Sequence, residues 1–190
     1  MTVKELIKKR RTIRKFENKP IPEEQLTSYI ETARICPSAA NLQPLKYVSV
    51  NSANMAEKVF STLKWAGYLK GEYTPKEDEK PTAYIIVCVD KNISTANYDM
   101  DVGAAVENII LSALEDGIGA CWLASVERPK LKRMLNLPDN LEISCVIALG
   151  YPAENPIETE MQNGDVKYFL ENNILNVPKR SLEEVFIKSL

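Results

Sequence analysis

The run Ala83 to Val89, AYIIVCV, restricts the fold more than any other segment. It is apolar and rich in β-branched residues, with no polar residue alternating in. A strand with one wet face alternates, so this one is predicted to be buried on both faces. The strongest helical pattern follows it. Val102, Ala105, Val106, Ile109, Ile110 and Ala113 trace one broad apolar stripe, and Gly117 supplies the C-terminal stop. A helix this apolar is expected to be central.

The remaining periodicities place lesser elements around this pair. Thr2-x-x-Glu5 is a capping box opening a helix with Val3, Leu6 and Ile7. Leu26, Tyr29, Ile30 and Ala33 predict a second helix from about Glu23 to Ile35, ended by Pro37. Leu45 to Val50 reads as a strand, and Met55, Val59 and Leu63 as a third helix. Lys70 to Lys80 is charged, contains Gly71 and Pro75, and reads as a lid or variable loop. Ala120 to Ala124 is a strand. Pro129 opens a short helix with Leu131, Met134 and Leu135, and Leu141 to Leu149 is the last long strand, closed by Gly150-Tyr151-Pro152. From about Ala153 the chain is polar and interrupted until Ser181-x-x-Glu184, a second capping box, opens a terminal helix. An arm of this kind without its own core is expected to pack on something else, often a second subunit. The fold class is α+β, a mixed sheet with helices on each side, in a single domain over residues 1–190 with 153–190 as the arm.

Chemistry is narrowed by an absence. The chain has no histidine, which excludes Ser-His-Asp and Cys-His catalysis, His-ligated metals and imidazole acid/base work. Any enzyme here uses other groups or the chemistry of a cofactor. Lys and Arg number 24 against 26 Asp and Glu, a net charge of −2 that argues against a wholly basic nucleic-acid binder. Of the four cysteines, Cys88, Cys121 and Cys145 sit in apolar runs and Cys36 near a proline; none forms C-x-x-C, so neither a zinc site nor a disulfide framework is expected. The N-terminus has no apolar signal-peptide core, and no apolar run is long enough to span a bilayer, so a reduced, cytoplasmic protein without membrane contact is expected.

Four segments can carry a function. Lys8 to Lys15 holds six cations in eight residues, among them Arg10, Arg11 and Arg14 around Thr12. It reads as a solvated helix end, as a nucleic-acid or targeting patch, or as a mononucleotide phosphate site. Pro37-Ser-Ala-Ala-Asn-Leu-Gln-Pro44 is small and polar. Asn41 and Gln43 suit the edge of a heterocycle, and the same residues also suit a loop capped by its own side chains. Gly117-Ile-Gly-Ala-Cys-Trp122 begins like a dinucleotide fingerprint but has Trp122 where the third glycine belongs, and lies between helix and strand in the wrong order. Lys179-Arg180 precedes the terminal cap. Asp99 and Asp101 read as acids that stabilise a helix start.

Taken in order, these pieces resemble the nitroreductase family of flavin-dependent oxidoreductases along essentially the whole chain. The resemblance rests on Arg10-Arg-Thr-Ile-Arg-Lys-Phe16, Ala33-Arg-Ile-Cys-Pro-Ser-Ala-Ala-Asn-Leu-Gln-Pro44, Gly103-Ala-Ala-Val-Glu-Asn108, Gly117 to Trp122, Ala148-Leu-Gly-Tyr-Pro152 and Lys179-Arg-Ser-Leu-Glu-Glu184. It implies a nitroreductase-like fold, with a central mixed, mainly antiparallel sheet flanked by helices. It implies FMN at the interface of a homodimer, with hydride passing from NADH or NADPH through flavin N5 to a small acceptor in a ping-pong cycle. Nitroaromatic, quinone and flavin acceptors are all compatible with it.

By the same resemblance, Arg10, Arg11, Thr12 and Arg14 hold the phosphate and ribityl end, and Lys179 and Arg180 complete the phosphate site. Pro37, Ser38, Ala39, Asn41 and Gln43 lie along the isoalloxazine from the neighbouring subunit. Trp122, Leu123, Ala124 and Ser125 present backbone groups toward N5. Arg14 or a lysine of the Lys64 to Lys80 segment is the candidate cation near N1/O2. No side chain acts as nucleophile or base, and no metal is implied. The same motifs also suit a flavin-binding storage or sensing protein without turnover.

Overall fold

The computed structural model describes residues 1–189. The apolar run is a central strand, as its pattern demands. β2 (Ala83–Asp90) pairs antiparallel with β1 (Leu45–Val50) on one side and β4 (Leu141–Gly150) on the other. β3 (Gly119–Leu123) closes the far side of β4, in the order β1-β2-β4-β3. Helices cover both faces. On one, Ile85, Val87, Ile147 and Leu149 meet Leu26 and Tyr29 of α2 (Glu23–Arg34) and Ala105, Val106 and Ile109 of α4 (Asp99–Glu115). On the other, Tyr84, Ile86, Val146 and Ala148 meet Ala56 and Val59 of α3 (Ala53–Phe60), Leu131 of α5 (Arg128–Met134), and Trp65 and Tyr73. Each large apolar side chain so buried stabilises the fold by about 1.5–3 kcal/mol.

The N-terminal segment is built onto the free edge of β3. α1 (Val3–Lys9) opens with the Thr2–Glu5 capping box. Beyond it Thr12 bridges Ala120 in parallel, and the Ile13 N–H donates to the Ala120 carbonyl at 2.9 Å. Two glycines permit this approach. A Cβ on Gly119 would stand 2.8 Å from Ile13 Cγ1, and one on Gly150 would stand 2.7 Å from the Phe16 ring. The glycines of the two C-terminal sheet motifs are thus the notches that receive the N-terminal motif. Gly117, at φ +78°, ends α4 in the left-handed conformation expected of its stop.

Three elements add to or differ from the sequence expectation. α3 ends at Phe60, and Leu63 instead forms a bridge with Val126 on the way to the core. The 70–80 stretch is pinned to the body. Tyr73 is buried, Lys80 pairs with Glu57 of α3 at 2.8 Å, and the Phe16 N–H donates to the Glu79 carbonyl at 2.9 Å. One aromatic anchor among many charges escapes a composition count. The arm contains a second sheet, in which β7 (Ile174–Lys179) pairs parallel with β5 (Ile157–Glu160) and antiparallel with β6 (Phe169–Glu171). These strands are short and mostly exposed, so they lack the apolar pattern that announces a strand. Leu175 nonetheless enters the core of its own chain, while Phe169, Leu170 and Ile174 stay exposed. α6 (Leu182–Val185) carries the Ser181–Glu184 capping box.

Cys88, Cys121 and Cys145 are buried, and burial pushes their thiols up to about 11, 12 and 11. They are packing residues, not nucleophiles. Among the described residues no helix is long and apolar enough to cross a membrane, and no group of acids and cysteines could hold a metal ion.

Candidate functional site

The cations of the two chain ends converge. Arg11 and Lys8 line one cleft of about 560 Å³ with Lys179, Arg180 and Ser181. β7 delivers Lys179 there because it pairs with β5, whose Glu158 takes the Arg11 guanidinium at 2.9 Å. Arg180 pairs with Glu184 at 3.2 Å across one exposed helical turn. An exposed pair of this kind contributes about 0–1 kcal/mol, so the Arg180 guanidinium is not committed, whereas Arg11 is part-buried and also donates Nη1 to the Lys8 and Arg10 carbonyls at 2.9 and 2.6 Å. Thr159 and Glu160 also line the cleft, and the Thr159 hydroxyl is buried without a partner among the described residues. Arg10 turns away, with its guanidinium 3.5 Å from Glu107 of α4. Thr12 lies in the bridge to Ala120, and the Arg14 guanidinium stands 4.7 Å over the Tyr168 ring.

The Pro37 to Pro44 loop is held mainly by its own groups. The Asn41 N–H donates to the Ser38 carbonyl at 2.9 Å, and the Gln43 N–H to Ser38 Oγ at 2.9 Å. Gln43 Nε2 donates to Asn41 Oδ1 at 3.1 Å. The capped-loop reading therefore holds within the chain, yet Asn41 Nδ2 and Gln43 Oε1 are left without a partner among the described residues. Ala40, Asn41 and Gln43 occupy left-handed backbone at φ 49°, 57° and 54°. Three non-glycine residues in that region within four positions store strain, which the surroundings must over-determine. Pro37 and Ala39 are exposed.

The end of β3 lies beside the N-terminal segment. Trp122 is half exposed, Ala124 and Ser125 are exposed, and Leu123 points into the core, so Leu123 offers only its backbone. The Ser125 carbonyl accepts from Lys64 N at 3.1 Å, which brings Lys64 to this edge. Lys64 thus flanks the strand end, while Arg14 follows Thr12, which bridges the strand near its start. The Pro37 to Pro44 loop lines a different hollow, with Asp101 and Tyr47, that shares no residue with the cation cleft.

The model described as "Nitroreductase family" matches residues 7–151. The chain belongs to the nitroreductase family. A protein of Archaeoglobus fulgidus, provisionally named NADH dehydrogenase/NAD(P)H nitroreductase, is 33% identical over 156 residues, covering 78% of this chain and 84% of its own. The NADPH-flavin oxidoreductase of Vibrio harveyi is 26% identical over 168 residues, covering 80% of this chain and 66% of its own. A structure from Desulfovibrio desulfuricans, solved in complex with FMN, superposes with a TM-score of 0.70 at 24% identity, covering 86% of this chain and 93% of that one. At that identity the likeness speaks for the fold alone, and it is the expected nitroreductase-like α+β fold.

Three residues of this chain were not singled out from the sequence as site residues. Asp101 does more than begin a helix. It is 4% exposed and accepts from Ser38 Oγ at 2.5 Å and from the Ala39 N–H at 2.9 Å, tying the loop to α4. Its signal was its place four residues before Ala105, on the buried stripe. Arg128 donates to the Ala124 carbonyl at 3.0 Å, and to those of Ile143 at 3.0 Å and Ser144 at 2.7 Å, where a bulge interrupts the β2–β4 ladder. It satisfies the bulge carbonyls and holds the end of β3 at once. Glu154 receives both the Arg14 and Lys15 N–H groups. Neither Arg128 nor Glu154 lies in a local pattern that marks it.

Proposed function

We propose that this chain is an FMN-dependent oxidoreductase that takes hydride from NADH or NADPH and delivers it to a small acceptor such as a nitroaromatic or quinone. Family membership and the name of the Vibrio harveyi relative support a flavin and a nicotinamide donor. The observation that carries the FMN form is the cleft uniting Lys8, Arg11, Lys179 and Arg180, four cations against the two carboxylates Glu158 and Glu160. A phosphate brings nearly two negative charges and three acceptor oxygens, which fit this donor set. Bound there, FMN supplies the hydride chemistry at its N5.

The protein's part is to bind and orient. Arg11, Lys179 and Arg180 would hold the phosphate, with Thr12 toward the ribityl chain; Arg10 would join them only by leaving Glu107. The backbone from Trp122 to Ser125 faces the N5 edge, and Arg14 and Lys64 place positive charge near the pyrimidine edge. The loop residues Pro37, Ser38, Ala39, Asn41 and Gln43 come from a second copy. A homodimer is supported by the separation of loop and cleft within one chain. It is also supported by the exposed Met100, Trp122, Phe186 and Ile187. On this reading the arm from residue 153 packs on the partner, and the apolar faces of α6 meet it.

The test is an absorption spectrum of the purified protein, then heat release and mass analysis of the ligand. Flavin bands with FMN released are expected, and NADH or NADPH should bleach them anaerobically. FMN without bleaching would point to storage or sensing, and a colourless protein that FMN cannot reconstitute overturns the proposal. Arg11→Ala combined with Arg180→Ala is expected to weaken FMN binding by 100-fold or more, about 3 kcal/mol for two charge-assisted contacts.

A further inference from the structure

We propose that Glu154 is a positioning residue: it sets the Arg14–Lys15 stretch against the flavin and locks the 66–80 segment beside it. The inference rests on the FMN reading above. Three parts of the chain meet on this one carboxylate. Oε1 accepts from the Arg14 N–H and, at 3.1 Å, from the Lys15 N–H, and Oε2 accepts from the Tyr73 hydroxyl. Glu154 itself belongs to the start of the arm.

The geometry has a backbone cause. Along a regular strand, successive N–H groups point to opposite sides. Here Ile13 N–H goes to Ala120 and Phe16 N–H to Glu79, and between them two consecutive donors turn to the same side. Adjacent N–H groups facing one way form a concavity that takes an anion. Glu154 fills it. No Lys or Arg side chain pairs with Glu154 among the described residues, so its charge is met by the two backbone dipoles and the phenol. Taken away, it leaves two part-buried donors unsatisfied.

What the carboxylate fixes lies on both sides of it. The Arg14 guanidinium stands 4.7 Å over the Tyr168 ring, and Tyr168 packs on Tyr68 with centroids 5.0 Å apart. Lys15 Nζ stands 4.8 Å over the Tyr73 ring and 3.3 Å from Glu79. Burial and the neighbouring carboxylate push the Tyr73 phenol well above its ordinary value, so it remains a donor to Glu154 at any working pH. Glu154 therefore joins the backbone of Arg14 and Lys15 to Tyr73 of the 66–80 segment, adding one bond to those that Lys80 and Glu79 already make.

The experiment uses the FMN-loaded protein with Glu154→Ala, Glu154→Gln and Tyr73→Phe. It reads amide hydrogen exchange at Arg14 and Lys15, FMN dissociation and the flavin midpoint potential. Glu154→Ala is expected to speed exchange at both amides, and to raise the FMN Kd, by about tenfold each. Glu154→Gln keeps an acceptor oxygen and should bring both back to within about threefold of the parent. Its lost negative charge beside Arg14 should still move the potential to more positive values. Tyr73→Phe should open residues 66–80 to protease while leaving the Arg14 and Lys15 amides protected.

An FMN Kd and midpoint potential unchanged in Glu154→Ala overturn the proposal, whatever the exchange shows. Should that variant fail to fold, an unchanged potential in Glu154→Gln overturns it equally. A parent protein that binds no FMN defeats the function reading instead. The latch is then decided by exchange alone, and parental exchange at Arg14 and Lys15 in Glu154→Ala rejects it.

Discussion

The two segments that frame the proposed cofactor site are held by opposite means. Residues 12–17 take almost every hydrogen bond from elsewhere: Ala120, Glu79, Tyr151 and Glu154 supply the acceptors, and Gly119 and Gly150 the space. Residues 37–44 are bonded largely among themselves, anchored from outside by Asp101 and, at Pro44, by the Asp90 N–H, and hold three non-glycine residues in left-handed backbone. The first segment is rigid because the sheet edge surrounds it. The second is a preformed loop, strained and presented outward. Cations that must meet a phosphate gain from the first arrangement, since their backbone costs nothing further to order on binding. A loop offered to a flat ring, or to another subunit, gains from the second.

The contrast can be broken most forcefully at Phe16, which is 1% exposed. Phe16→Ala should cost about 3–5 kcal/mol in urea unfolding. A loss under about 1 kcal/mol would mean that the N-terminal segment is not docked on the sheet edge. Gly150→Ala comes next. Its new Cβ meets the Phe16 ring, at an expected cost of about 1–3 kcal/mol. Combined with Phe16→Ala, most of that cost should vanish, and strict additivity would refute the close approach.

On the other segment, Asp101→Ala strands the Ser38 hydroxyl and the Ala39 N–H and should cost about 1–2 kcal/mol, read by the same unfolding curve. The smallest effect has the opposite sign. Ala40→Gly relieves a left-handed alanine and should stabilise the protein by about 1 kcal/mol or less. A destabilisation there would show that Ala40 is not held in that conformation.

How much was legible follows the same division. The capping boxes at Thr2 and Ser181, the stop at Gly117, α2, α4 and the doubly buried β2 are local patterns, and each stands where its spacing placed it. The cation motifs were visible as charge. That Arg11 reaches Lys179 while Arg10 turns to Glu107 was not, because it depends on how β5 pairs with β7 and on where α4 passes. The strands of the arm were invisible because short exposed strands carry no hydrophobic period. Tyr73, Arg128 and Glu154 escaped notice for a related reason. Each acts on atoms far away along the chain, and residue type alone does not name the partner.

By itself, then, the sequence determined the elements, the doubly covered sheet, the exclusion of histidine chemistry and the family, since periodicity, caps and ordered motifs are properties of neighbours along the chain. Only the tertiary structure decided which arginine faces the cleft, which acid secures the loop and which carboxylate gathers Arg14, Lys15 and Tyr73. Those contacts join residues tens of positions apart, and their partners are chosen by packing once the sheet has brought the segments together.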